Sequence, residues 1–207
     1  MAEKKESLTS QKKNFSKTTA LVLCGLFAAL TAVCSFITIP LGFTPIPVNL
    51  GTLAVFLTGG IMGKKYGTIS IVVYIMLGCV GLPVFAGFKG GPGVLLGPTG
   101  GYILGYAIAV FIIGGLSEWF YKKYIETLRI KYRSTAVFLI SDLFMVIGLF
   151  ACYAMGTIWF IISTGAFLEA ALVSCVLPFL PGDGVKIFVA SILIHKLSPV
   201  VRHYISN

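Results

Sequence analysis

The segment PFLPGDGVK, residues 178–186, sets an acid and a base into apolar sequence, Asp183 and Lys186. A spacing of three puts both on one face of a helix that starts after the Pro-Gly break. Ionisable groups at membrane depth are costly and face a cavity or a partner. A carboxylate accepts hydrogen bonds from ligand N–H groups, and an ammonium donates to a ligand carbonyl or carboxylate. The plainer reading keeps both residues structural, with Asp183 capping its helix and Lys186 pairing with it or snorkelling to the surface. The other acids in apolar surroundings, Glu118, Asp142 and Glu169, stand apart in the sequence. Glu118 is expected near the inner surface, Asp142 beside a basic loop residue, and Glu169 at the outer interface. No carboxylate pair or nucleophile–base constellation marks an enzyme. Cys24, Cys34, Cys79, Cys152 and Cys175 form no CxxC and read as small apolar residues, so no metal site is expected.

A second unusual stretch is GLPVFAGFKGGPGVLLGPTGGYILGY, residues 81–106, with nine glycines and three prolines in 26 residues. It joins two apolar runs. Irregular backbone is tolerated at membrane depth only when buried in protein or lining a cavity, because unpaired amides facing lipid are too costly. The stretch therefore predicts a loop that shapes a small-molecule site. Gly91, Gly97 and Thr99 are candidates for ligand contact, since glycine lets backbone approach closely. Phe43, Phe85, Phe88 and Tyr102 are candidate pocket walls, with core packing as the alternative for each. Gly101 and Gly105 form a GxxxG pair suited to close helix packing. The phosphate-cradling pattern GxxxxGK[ST] is absent. Thr44 and Asn49 take turn and cap roles.

The elements that hold these residues belong to a membrane protein. The chain is 57% hydrophobic and 11% charged, with a mean hydropathy of +0.96; a soluble domain is about a quarter charged. The apolar runs are continuous rather than alternating, which argues against a barrel. The reading is an all-α membrane protein, a compact six-transmembrane-helix bundle with ordered outer loops and both termini cytoplasmic. Residues 1–17 form a polar, basic cytoplasmic tail, and residues 18–207 form the bundle. The spans are expected over 18–39, 49–62, 66–80, 100–119, 135–155 and 183–197, with a hinge at 63–65. Residues 157–179 are read as an outer segment rather than a seventh crossing.

Charge placement sets the orientation. Fourteen of the sixteen lysines and arginines fall in the N-terminal tail, the hinge, the loop before the fifth span and the C-terminal tail. All lie on one side in a six-span arrangement, leaving only Lys89 and Lys186 outside. The net charge of +9 is thus a positive-inside signature and not a nucleic-acid footprint. The outer side gathers three irregular stretches, 40–49, 81–99 and 157–182, and broken helices with irregular backbone mark transporter substrate sites. Span 1 adds a small-residue stripe of Cys24, Ala28 and Ala32, with Gly25 and Ala29 beside it, for packing inside the bundle or for docking a separate membrane subunit.

These pieces together resemble the BioY family, the substrate-binding (S) components of energy-coupling factor (ECF) vitamin transporters, specific for biotin. The likeness runs from span 1 to span 6. It is carried by 81–106, by PFLPGDGVK and by FTPIPVNLGT (43–52), where Asn49 and Gly51 replace an expected Thr and Gln. The resemblance implies that Asp183 and Lys186 contact biotin and that Ala28-xxx-Ala32 meets the transmembrane coupling subunit. It also implies two ABC-type ATPase partners, no cofactor, no enzymatic activity of this chain, and a multi-pass place in a bacterial plasma membrane. Biotin would be bound outside and delivered inward. An S component for another vitamin, a membrane enzyme and a structural membrane protein are the rival readings.

Overall fold

Apolar runs interrupted by glycine and proline become helices that break where those residues stand. The computed structural model describes the backbone of residues 2–42, 44, 46–124 and 130–206. Side chains are described for 17–42, 44, 46–123, 138–198 and 201. In chain order the elements are α1 (Ala2–Phe36), β1 (Thr38–Ile39), β2 (Val48–Asn49), α2 (Gly51–Cys79), α3 (Pro92–Leu96), α4 (Gly100–Tyr124), α5 (Ile130–Thr164), α6 (Leu168–Cys175) and α7 (Leu180–Ser206). The side chains of the tail expected over 1–17 lie outside the described residues up to position 16.

The core lies between α2, α4, α5, α1 and α7, with α2 and α4 packed most extensively. Close approach comes from small residues. A Cβ on Gly101 would meet Trp159, and one on Gly105 would meet Cys152 at 3.0 Å. The GxxxG pair thus sets α4 against α5, as its spacing predicts.

The expected hinge is present. Gly63 sits at φ 74°, inside what is otherwise one helix of 29 residues. The Oε1 of Glu118 on α4 accepts the Lys64 N–H at 2.8 Å, so an acid occupies the freed N-terminus of the second half of α2. Glu118 is exposed, as expected, but it also ties α4 to the kink. The break leaves neither half of α2 with the about 20 residues that span a bilayer.

Among the described residues, three helices are long and apolar enough to cross a membrane: Lys17–Phe36, Gly100–Lys123 and Phe138–Thr164. A fourth crossing results if α6 and the start of α7, bent by 48°, count as one broken span.

Several expected boundaries are corrected. The fifth span does not end at 155 but continues to Thr164. The hydroxyls of Ser163 and Thr164 bond back to the Phe160 carbonyl at 3.2 and 2.7 Å, which keeps polar residues inside the helix. Gly165, at φ 69°, then ends it. Residues 157–164 are therefore helical, not irregular. The Pro-rich turn is closed by a two-residue antiparallel ladder, Thr38 opposite Asn49 and Ile39 opposite Val48, a small exception to an all-α fold. Inside and beside it, Thr44 and Asn49 take the local roles expected of them: Thr44 Oγ1 accepts the Ile46 N–H at 3.2 Å and Asn49 Oδ1 the Gly51 N–H at 2.8 Å.

Ala28 and Ala32 face the chain's own core, 2% and 8% exposed, while Gly25 and Ala29 are exposed on the same helix. Both alanines pack inside the chain in this structure. Ala28→Leu is accordingly predicted to overpack the core and cost about 1–3 kcal/mol, read as a lower melting temperature of the purified chain in detergent. An unchanged melting temperature with lost transport would return Ala28 to a docking role.

Candidate functional site

Helix ends from across the bundle meet at the side opposite the Gly63 kink: the end of α1, both ends of α2, and the starts of α4 and α7. Between them lies a cavity of about 90 Å³, far more than the roughly 10–15 Å³ that one water needs. Asp183, Lys186, Phe85, Thr99 and Tyr102 all line it, as their sequence context predicts.

Asp183 is 1% and Lys186 7% exposed. Asp183 stands inside the first turn of α7, its N–H bonded to the Phe179 carbonyl at 2.9 Å. The capping reading is therefore corrected: the carboxylate turns into the bundle. Its Oδ1 accepts from Lys186 Nζ at 2.7 Å and from Thr52 Oγ1 at 2.8 Å, and its Oδ2 accepts from the Tyr153 hydroxyl. Lys186 does not snorkel. Its ammonium donates to Asp183, to Thr52 Oγ1 at 3.0 Å and to the Asn49 carbonyl at 2.7 Å. All three ammonium protons are thereby engaged, whereas a carboxylate with about four acceptor positions has three filled.

The walls are mostly apolar and aromatic. Tyr74 meets Phe85 edge-on at 5.5 Å, and its hydroxyl lies 3.1 Å from Ser35 Oγ. The Tyr102 hydroxyl is 3.3 Å from Thr157 Oγ1 and donates to the Cys175 carbonyl at 3.3 Å. Phe85 is a buried plug under which Gly78 must be glycine, because a Cβ there would enter the ring.

Two of the candidate contacts stand apart from the others. Gly91 and Gly97 are not among the cavity-lining residues. The Gly91 N–H bonds the Gly78 carbonyl at 2.7 Å, and the Gly97 carbonyl accepts from Trp159 Nε1 at 3.0 Å. These bonds tie the loop to α2 and α5. Phe43 lies outside the described residues. Phe88 stacks on Phe36 at 4.4 Å instead of lining the cavity.

Sequence reasoning missed Asn49 as a cavity residue, along with Thr52, Tyr74, Tyr106 and Tyr153. One signal was available: a tyrosine in an apolar span needs a partner for its hydroxyl, and four such hydroxyls converge here. Of the remaining acids, Glu169 is exposed in the first turn of α6. Asp142 leaves Oδ1 without a hydrogen-bond partner among the described residues. Of the loop bases expected beside it, Arg129, Lys131 and Arg133 lie outside the described side chains.

The pattern of the BioY family matches residues 5–203 of this chain. The chain is 40% identical over 177 residues to the biotin transporter BioY of Thermotoga maritima, covering 86% of this chain and 94% of the relative. It is 32% identical over 187 residues to the biotin transporter BioY of Lactococcus lactis, covering 89% and 93%. Its fold is similar to the crystal structure of the S-component for biotin from an ECF-type ABC transporter, with a TM-score of 0.74 and 31% identity over 87% of this chain and 91% of that one.

The network makes its own prediction. Lys186→Met leaves Asp183 buried without its counter-charge, and breaking such a pair costs about 3–5 kcal/mol. Tyr153→Phe removes one charge-assisted hydrogen bond, worth about 1.5–3 kcal/mol. Thermal unfolding of the purified variants should rank them in that order. Equal stability of Lys186→Met and the parent chain would mean that the pair does not hold the helix ends together.

Proposed function

The chain belongs to the BioY family, and from that premise we propose that it is the biotin-binding S component of an ECF-type uptake transporter. The observation that carries the reading is the cavity floor. It offers one unclaimed acceptor on a carboxylate whose other positions are fixed by protein donors. Biotin brings a ureido ring with two N–H donors, an apolar thioether ring and a valerate carboxylate. Asp183 accepts a ureido N–H. Lys186, with every proton engaged, holds Asp183 in its orientation rather than reaching for the ligand. Phe85, Tyr74 and Phe179 supply the apolar wall for the thioether ring. A buried site built for hydrogen bonds rejects ligands that leave it unpaired, at about 1–3 kcal/mol for each group.

The two halves of α2 and the bent α6–α7 pair are each read as membrane-embedded, giving six crossings with both termini cytoplasmic. The clustering of lysine and arginine at one end supports this. The cavity then opens outward. The chain is a binding subunit and not an enzyme. ATP hydrolysis belongs to two ABC-type ATPases reached through a transmembrane coupling subunit, in a bacterial plasma membrane. With Ala28 and Ala32 facing the core, contact of α1 with that subunit uses the opposite face of the helix or follows a rearrangement of α1.

The test is a calorimetric titration of the purified chain. The expected result is saturable binding of one biotin per chain without ATP. Asp183→Asn is expected to weaken binding at least about tenfold, the loss of one charge-assisted hydrogen bond, while the variant stays folded. Wild-type affinity in that variant would mean that Asp183 serves only the fold.

A further inference from the structure

One helix reaches the cavity with both of its ends. Thr52 near the start of α2 and Tyr74 near its end both line it, and each stands eleven residues from Gly63, where the helix breaks. The two arms are pinned to different neighbours. On the first arm, Thr52 bonds Asp183 and Lys186 of α7. On the second, Ser70 Oγ donates to the Cys24 carbonyl of α1 at 2.9 Å, and the Tyr74 hydroxyl lies 3.1 Å from Ser35 Oγ. The angle at Gly63 therefore sets how far the α7 floor stands from the α1 wall. At a rise of about 1.5 Å per residue each arm reaches about 16 Å from the vertex, so a rotation of about 5° there moves Thr52 relative to Tyr74 by about 1.4 Å. That is enough to break a hydrogen bond.

Three residues on one face of α4, Phe111, Gly114 and Glu118, clamp the vertex. A Cβ on Gly114 would run into the Gly63 and Lys64 backbone, so the two helices touch there. One turn on, Glu118 Oε1 accepts the Lys64 N–H at 2.8 Å. One turn back, the Lys64 ammonium sits over the Phe111 ring, 4.0 Å from its centroid, a cation–π contact. Lys64 is held by backbone and side chain at once. Gly63, at φ 74° and ψ −171°, is permissive and sets no angle of its own, so the angle of α2 depends on what holds Lys64.

We propose that Glu118 is a positioning residue for the binding cavity: by holding Lys64 against Gly114 and Phe111 it fixes the angle of α2, and through it ligand affinity, from the opposite end of the bundle. The ligand is taken from the biotin reading above, which this role deepens. Glu118 touches no ligand. It keeps Thr52 and Tyr74 at the separation the ligand needs. A chain without the clamp spends part of its time with a cavity of the wrong width, and apparent affinity falls by the competent fraction lost.

Glu118 is exposed, so its truncation leaves the packed core intact. Calorimetric titration with biotin should find Glu118→Ala about fivefold weaker than the parent chain. Glu118→Gln, whose amide oxygen still accepts the Lys64 N–H, should stay within about twofold of the parent. Hydrogen exchange of the ligand-free proteins reads the same coupling without biotin. Glu118→Ala should speed exchange about fivefold at Lys64 and also at Leu53 and Ala54, whose N–H groups bond the Leu50 carbonyl at the far end of the first arm. Glu118→Gln should exchange as the parent does at all three. Parent affinity for biotin in Glu118→Ala overturns the proposal, and so does faster exchange confined to Lys64 and its neighbours. Equal weakening in Glu118→Ala and Glu118→Gln overturns it too, because the hydrogen bond is then not what matters. A parent chain that binds no biotin overturns the biotin reading, and exchange at Leu53 and Ala54 still decides for or against the clamp.

Discussion

The ion pair between Asp183 and Lys186 decides how the helix ends must meet. Burying either ion alone costs several kcal/mol, and their mutual attraction offsets this only when the remaining donors and acceptors are also satisfied. Satisfaction here draws on distant parts of the chain. Thr52 comes from the start of α2, Tyr153 from α5, and the Asn49 carbonyl from the strand that closes the Pro-rich turn. The pair therefore demands that α2, α5, α7 and the β1–β2 ladder converge at one point, and the cavity is the space left above it.

Converging helix ends leave irregular backbone, whose amides must find partners where water does not reach them. The 81–106 stretch meets this demand with its own bonds and with plugs. The Leu82 N–H finds Leu77, the Phe85 N–H finds Lys89, and the Gly91 N–H finds Gly78. Phe85 and Phe88 fasten the loop to Tyr74 and Phe36. At the far end the same logic holds the Gly63 break, where Glu118 replaces the lost helical partner of the Lys64 N–H. Each interruption is thus paired locally, so the bundle keeps a preformed site without a continuous helical scaffold.

Much of this was legible before any coordinates. Asp183 and Lys186 stood out because charge is rare in this chain and their spacing defines a face. Phe85, Thr99, Tyr102 and the Gly63 hinge followed from composition shifts. The partners of the pair did not. Thr52, Asn49 and Tyr153 lie 30 to 137 residues from the groups they bond. In spans apolar on every face, periodicity does not say which side is inward. Glycine is ambiguous for a related reason: a sequence marks where backbone is permissive but not what it bonds, and Gly91 and Gly97 carry hydrogen bonds that tie the loop down. The extent of α5 was hidden because serine and threonine read as breaks until their hydroxyls are seen bonding back to Phe160.

A structure of the chain with biotin bound tests the account most directly. It should show a ureido N–H within about 3 Å of the Asp183 carboxylate, with the contacts of Lys186 to Asp183, Thr52 and Asn49 intact. A ligand in the opposite direction, its carboxylate on Lys186 and its ureido ring at the loop, would contradict it.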